Sequence, residues 1–425
     1  MITALVIGIF ILAFMGAPMF GVLAAFALLG FHLSGIQSAA LIVDIYSQFS
    51  NNPVLYTVPI FTFAGFILAE SKASIRVVNF SQAILGWLPG GLAIVSLVAC
   101  AFFTTFTGAY KRQIIALGGL LYPALIRGKY SDNFSLGLLT TSGSLGLLFF
   151  PSLPIIIYGV VAGTSITQLF AAGIIPGIFL MIVLSIYSAV VAKRTRTTET
   201  RASFQEIKEA TIAAKWELFI PIMLMVGIFG GFVTLGEIAS IMVAYAFVVE
   251  VFVHKDIKVR QFPAIIRESM VLVGAIFIIF SSALALTTYM VDAEIPTRIL
   301  EILQVHIKSK FMFLVALNIF LLFAGSLMEI YGALVVVVPL IVPIAQEYGI
   351  NPVHLGIIFL TNLEIGYSMP PVGLNLIISC IRFEKPVTSL YRACLPFILI
   401  MILALMVITY VPWMSLYLVE RFGIR

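Results

Sequence analysis

Hydrophobic residues run along this chain in blocks too long for the core of a soluble protein, and polar positions are confined to short gaps between them. Apolar runs occupy approximately 2 to 31, 54 to 71, 83 to 106, 113 to 126, 134 to 160, 165 to 192, 216 to 253, 269 to 291, 311 to 324, 332 to 346, 353 to 381 and 393 to 418. A helix of about 20 apolar residues crosses a bilayer, so the pattern predicts an all-α polytopic protein with roughly ten to twelve spanning or re-entrant segments. The first run lacks the basic flank of a signal peptide and continues into more apolar sequence, which predicts a retained helix, either one tilted span or two short segments.

Two runs are interrupted where a membrane helix should be continuous. LGLLFFPSLPII (Leu145 to Ile156) and IGYSMPPVGLNL (Ile365 to Leu376) align in one register, pairing Gly146 with Gly366, Phe149 with Met369, Phe150 with Pro370 and Pro151 with Pro371. Unwound backbone in hydrocarbon leaves amides and carbonyls unpaired at several kcal/mol each, so it persists only where protein or a bound ion satisfies them. Glycine permits unusual backbone angles and proline removes a donor, so both segments can present free carbonyl oxygens. Matching interruptions in two halves of a chain point to a binding site.

The one long polar segment, Lys193 to Lys215, carries six basic residues and divides the chain near its middle. Positive charge favours the cytoplasmic side, which makes this segment a cytoplasmic linker. Crossings counted from it place Arg127, Lys129, Lys255, Lys258, Arg260, Arg267, Arg382, Lys385 and Arg392 on the same side, provided that 216 to 253 crosses twice around Gly230-Gly231. The count closes only if 91–126 and 311–346 are re-entrant hairpins entering from opposite sides. Residues 1–192 then form a first repeat with scaffold helices, hairpin 91–126 and broken helix 134–160. Residues 216–425 form a second, inverted repeat with hairpin 311–346 and broken helix 353–381. Amphipathic stretches near Arg76 to Leu85 and Val259 to Met270 are, by position alone, candidate arm-like elements.

Composition strengthens this picture. The hydrophobic fraction is 61%, the charged fraction 10% and the mean hydropathy +1.14, whereas a soluble domain carries about 25% charged residues. The formal charge of +5 reflects loop topology and forms no basic, aromatic-interleaved stripe for nucleic acid. Cys100, Cys380 and Cys394 lie within apolar runs, which argues against a disulfide framework or thiolate metal site. His32, His254, His306 and His354 lack metal-ligand spacing. The four aspartates, at 44, 132, 256 and 292, are not paired inside an apolar run, which disfavours an intramembrane enzyme. A GxxxxGK[ST] phosphate loop is lacking, so any work this chain does is driven by an ion gradient and not directly by ATP.

The stretches GGLAIVSLVACAFFTTFTG, TTSGSLGLLFFPSLPIIIYGVVAGTSITQLFAAGIIPG and HLGIIFLTNLEIGYSMPPVGLNLIIS resemble the large membrane subunit (M subunit, DctM-like) of tripartite ATP-independent periplasmic (TRAP) transporters. The resemblance covers nearly the whole chain. It implies an elevator-type secondary transporter of the ion transporter superfamily type in the bacterial inner membrane, importing an organic acid such as sialic acid or a C4-dicarboxylate. It also implies two Na+ sites, a small four-helix TRAP membrane subunit and a periplasmic substrate-binding protein. Carried onto this sequence, the first sodium site draws on Thr107, Ala109, Gly146, Phe149 and Phe150, and the second on Gly325, Met328, Gly366, Met369 and Pro370. The run Gly108-Ala109-Tyr110-Lys111-Arg112 replaces the family's small hydroxyl residues, and Phe150-Pro151 replaces its two prolines. If one site is weakened or displaced, the first is expected to be that one.

Thr141, Ser142, Ser144 and Asn375 are candidates on the substrate side. The first three hydroxyls either contact substrate or bond back to helix carbonyls, while a buried Asn375 amide needs partners. A charge at mid-membrane costs about 2.5–3.5 kcal/mol, which marks Glu329 and Glu364 as functional candidates. Glu329 can ligate the ion or substrate; alternatively either carboxyl serves a proton-coupled anion carrier, or both lie near the interface beside a basic residue.

Overall fold

The computed structural model describes residues 2–35, 37–107, 110–195 and 203–424, and the described residues are helical with connecting turns. The chain opens with α1 (Ile2–Phe14), α2 (Met19–Leu33), α3 (Ser38–Asn51), α4 (Thr57–Glu70) and α5 (Ala73–Leu85). A helix pair follows, α6 (Gly91–Thr107) and α7 (Tyr110–Arg127), then α8 (Asp132–Thr141), α9 (Leu153–Ala162) and the long α10 (Ile166–Thr195). Next come α11 (Phe204–Phe229), α12 (Leu235–Val248), α13 (Phe262–Asp292) and α14 (Ile295–His306). The order then repeats, with the pair α15 (Lys310–Leu327) and α16 (Ile330–Glu347), then α17 (Pro352–Gly366), α18 (Leu374–Phe383), α19 (Val387–Tyr410) and a final α20 (Trp413–Arg421).

Among the described residues seven helices are long and apolar enough to cross a membrane, or nine if each of two bent pairs is one span. The shorter apolar helices fill the remaining expected segments. Residues 2 to 31 resolve into two short helices, parted where Gly16 takes φ +89° and Pro18 precedes α2. Residues 216 to 253 do form two helices around Gly230-Gly231, joined by a turn whose exit is fixed by a reciprocal Thr234–Glu237 cap. α11 begins at Phe204, so the polar segment after residue 203 is the first turns of a helix.

Two helices escaped the hydropathy pattern. α3 and α14 mix charged and apolar positions and so never form a long apolar run. The arm expected over Val259 to Met270 is not a separate element: a short turn at Val259–Gln261 leads directly into the continuous α13. Its place before the second helix pair belongs to α14, as α5 precedes the first. α5 lies against α11 on one side and α6 on the other, and α13 packs on α2, α4 and α16.

Both two-helix pairs fold back on themselves. At the base of the first, a Cβ on Gly128 would lie 3.1 Å from the Leu92 side chain. At the base of the second, Lys310 Nζ donates to the Gly349 carbonyl at 2.8 Å and Tyr348 Oη to the Ile307 carbonyl at 2.8 Å. The broken helices run in opposite senses between these bases. Asp132, at the start of α8, pairs with Lys385, just beyond α18, at 2.8 Å, while Tyr158 of α9 donates to the Pro352 carbonyl at the start of α17 at 2.8 Å. The bases of the two hairpins therefore lie at opposite ends of the broken helices.

Candidate functional site

Each broken helix comes apart for a legible local reason. α8 is capped by Ser131, whose hydroxyl accepts from the Phe134 amide, and runs regularly to Thr141. Over Ser142–Leu148 it tightens into a 3-10 helix, then Phe149 turns extended and α9 resumes after Pro151, bent by 48° from the first part. A mid-helix 3-10 stretch commonly marks a hinge. α17 starts on Asn351, whose side chain accepts from the Val353 amide, and ends at Gly366. The chain then turns through Tyr367–Gly373, where Gly373 takes φ +56° with its α-carbon too close to the Met369 carbonyl for any side chain. The Phe150–Pro151 and Pro370–Pro371 bonds are both cis, at the aligned positions.

The glycines let each break meet its own hairpin backbone to backbone. A Cβ on Gly146 would lie 2.4 Å from the Ala101 carbonyl oxygen and 2.5 Å from the Thr105 amide of α6. One on Gly366 would lie 2.8 Å from Gly325 and 3.0 Å from the Ser326 amide of α15. Polar groups complete the contacts. Thr104 Oγ1 donates to the Gly143 carbonyl at 2.8 Å and Thr105 Oγ1 approaches the Gly146 carbonyl at 3.2 Å, while the Gly373 amide donates to the Ser326 carbonyl at 3.0 Å. The Gly146 and Gly366 carbonyls also each accept an amide of their own loop, from Phe149 at 3.2 Å and Met369 at 2.9 Å. They are thus not wholly unused, although a carbonyl has two lone pairs.

Three of the five first-site candidates, Gly146, Phe149 and Phe150, are described in full. Thr107 ends α6 but its side chain, like Ala109 as a whole, lies outside the described residues. Gly146 is buried in the 3-10 stretch, Phe149 packs on Gly177 of α10, and the Phe150 ring is 4.3 Å from that of Phe170. Phenylalanine side chains carry no oxygen, so the oxygen ligands that Phe149 and Phe150 can offer are their carbonyls. In the second site Gly325 is buried, Met328 is half-buried and extended at the end of α15, Met369 is half-buried, and Pro370 is exposed. Glu329 sits half-buried at the N-cap of α16.

The substrate-side candidates separate into two groups. Thr141 donates to the Gly137 carbonyl at 2.8 Å and Ser142 reaches the Leu139 carbonyl at 3.5 Å, both within their own helix. Ser144 instead bridges the two broken helices, donating to the Glu364 carbonyl at 3.2 Å and accepting from Asn375 Nδ2 at 3.3 Å. Asn375 Oδ1 and both Glu364 carboxyl oxygens are buried with no hydrogen-bond partner among the described residues. So are the hydroxyls of Ser152 and Ser368, one in each break, which sequence reasoning passed over. Their only sequence signal is a serine within two residues of a break proline.

Buried unpaired acceptors are costly, at about 1–3 kcal/mol each, and these gather around the two breaks. Among the described residues no cluster of three or more His, Cys, Asp or Glu side chains could hold a metal. The donor set is carbonyl, hydroxyl and amide oxygen with a single carboxyl group, which suits a hard cation better than zinc or iron. Sodium is one hard cation that such oxygens can hold.

Residues 6–414 match the family described as "Tripartite ATP-independent periplasmic transporter, DctM component". The chain is 31% identical over 404 residues to the C4-dicarboxylate TRAP transporter large permease protein DctM of Pseudomonas aeruginosa, covering 95% of this chain and 94% of that one. It is 29% identical over 377 residues to the sialic acid TRAP transporter large permease protein SiaM of Vibrio cholerae, covering 88% and 87%. In fold it resembles the crystal structure of the YdaH transporter of Alcanivorax borkumensis, with a TM-score of 0.65 at 13% identity over 96% of this chain and 99% of that one.

Proposed function

The chain belongs to the DctM component family, the large inner-membrane permeases of tripartite ATP-independent periplasmic transporters, and from that premise we propose that it imports an organic acid by sodium-coupled secondary transport. Such permeases work with a small membrane subunit and a periplasmic binding protein; here the binding protein delivers the acid to the described core. The relatives named for a C4-dicarboxylate and for sialic acid share carboxylate chemistry, and that is the substrate class proposed.

The observation that carries this reading is the pairing of each glycine break with its own hairpin, Gly146 on Ala101 and Thr105, Gly366 on Gly325 and Ser326. Around those contacts lie unpaired oxygens of Ser152, Ser368, Asn375 and Glu364. Bound sodium would supply positive charge beside the buried Glu364 carboxyl and against the incoming acid. The hairpins hold the freed backbone, Ser144 ties the two breaks together, and the apolar surroundings exclude water. Inward movement of one sodium ion across 100 mV releases ~2.3 kcal/mol, so two would supply nearly 5, or more than three decades of accumulation. The two oppositely directed repeats, hairpin and broken helix in each, form the moving unit of an elevator.

The test is uptake into proteoliposomes holding this chain, its small subunit and its binding protein. Radiolabelled acid should accumulate with an inward sodium gradient and fall to background when potassium replaces sodium. Undiminished uptake in potassium rejects the coupling.

A further inference from the structure

α14 lies along the second hairpin without closing on it. Between them is a cavity of about 330 Å³ bounded by Ile299 and Leu303 of α14, Ala316 and Phe320 of α15, and Val337 and Ile344 of α16, and every lining residue is apolar. Its surroundings are apolar too: Ile302 and Val305 on the outer face of α14, and Ile319 and Phe323 on α15, are all more than half exposed. In a bilayer such a surface meets acyl chains. An unfilled crevice there forfeits dispersion contacts along its whole length.

The mouth of the cavity has a different character. Ile307, which also lines it, sits in the run His306-Ile307-Lys308-Ser309-Lys310. Tyr348 Oη on the Ile307 carbonyl and Lys310 Nζ on the Gly349 carbonyl anchor that run at the base of the hairpin. Lys308 and Lys310 are exposed, and among the described residues neither they nor His306 form an ion pair, although Glu347 ends α16 at the same level. The crossing count puts this loop on the side opposite the basic linker, where positive charge is not favoured by topology. Its lysines call for a local anion.

We propose that this groove is a phospholipid site, with an acyl chain between α14 and the second hairpin and an anionic headgroup on Lys308 and Lys310. The lipid fills the space that the arm leaves beside the hairpin, so both can shift against it without opening a void. This goes beyond the transport reading and is tested without transport.

Detergent-purified protein is placed in nanodiscs of equal phosphatidylglycerol and phosphatidylethanolamine, re-extracted, and weighed by native mass spectrometry. Wild type should retain phosphatidylglycerol selectively. Lys308→Gln with Lys310→Gln should lower that selectivity on the order of 30-fold, the loss of two lysine–headgroup attractions. Ala316→Trp, which fills the groove, should shed lipid of either kind, while Ile319→Trp, exposed on the same helix outside the groove, should keep it. No retained lipid in wild type, unchanged selectivity in the lysine variant, or equal retention by the two tryptophan variants overturns the proposal. Lys308 is exposed, and Lys308→Gln alone keeps the Lys310–Gly349 anchor, so this single variant should lose about fivefold of the selectivity and decides the headgroup assignment by itself.

Discussion

The two halves of the molecule share an order of elements and a register of glycine and proline, yet they secure their breaks differently. In the first, Phe150 is buried under Phe170 and Phe229, Ser152 is 1% exposed, and the preceding arm α5 is tied down by ions. Arg76 reaches Glu217 of α11 at 2.5 Å, Glu250 beyond α12 at 2.9 Å and Asp256 at 2.6 Å. In the second, Met369 is half-buried, Pro370 and Pro371 are exposed, and the arm α14 buries only Pro296 and borders an apolar cavity. Glycine and proline preserve the backbone geometry, while side chains decide how firmly it is held. Regions with few buried contacts open at the lowest cost, so the second break is expected to open more readily than the first.

The largest expected effects come from breaking the anchors of the first half. Arg76→Ala leaves Glu217 and Glu250, 1% and 0% exposed, without their cation, and removal of one partner from a buried ion network costs about 3–5 kcal/mol. Thermal unfolding of the purified protein should show it, and an unchanged melting temperature would mean that the arm is held by apolar packing alone. Phe150→Ala should cost a comparable ~3–5 kcal/mol through the cavity it opens, whereas Pro370→Ala at the aligned position should stay within about 0.5 kcal/mol, as exposed sites do. Equal losses would erase the distinction between the breaks.

A smaller effect addresses the ions. Ser368→Ala removes a buried hydroxyl from the second break, and the half-saturating sodium concentration for uptake should rise about tenfold if that oxygen is a ligand. Ser152→Ala should change it less than about twofold, since the first site is expected to be the weaker. A sodium response untouched by Ser368→Ala would remove that residue from the site. The smallest effect is the pH response of the arm anchor. Burial opposes ionisation of Asp256, but the hydrogen bonds from Arg76 and the Lys72 amide outweigh it and hold its carboxyl below the usual range. Its contribution to stability is therefore complete above the unfolded carboxylate pKa and is lost as pH falls through the lower folded one, below about pH 4. The melting temperatures of wild type and Asp256→Asn should converge on acidification, and a gap that persists would contradict the assignment.

Much of the architecture was legible from particular residues. Gly146, Pro151, Gly366 and Pro371 marked both breaks because they recur in one register in two apolar runs, whereas Gly173, Pro176 and Gly177 stay inside the continuous α10; the small or polar positions at Thr107-Gly108 and Glu329-Ile330 marked two candidate hairpin tips, the first of which, at Gly108, lies outside the described residues. α14 was not legible, since an amphipathic helix lying beside other helices needs no long apolar run. Within the site, Ser144 and Asn375 were singled out as polar residues near a break, and they do join the two broken helices. Thr141 was singled out by the same rule and bonds within its own helix. Ser152 and Ser368 went unnoticed because burial without a partner is a property of surroundings.

What the sequence determined by itself was which segments are apolar enough for the membrane and, through the glycine and proline repeated in one register, where two of them break, because hydrophobic length and backbone preference act locally. What only the tertiary structure decided was which groups meet at those places: Gly146 on α6, Gly366 on α15, Ser144 between the breaks, Arg76 on three carboxylates far along the chain. Such contacts join residues of great sequence separation. They depend on how helices pack together, and no local pattern records that.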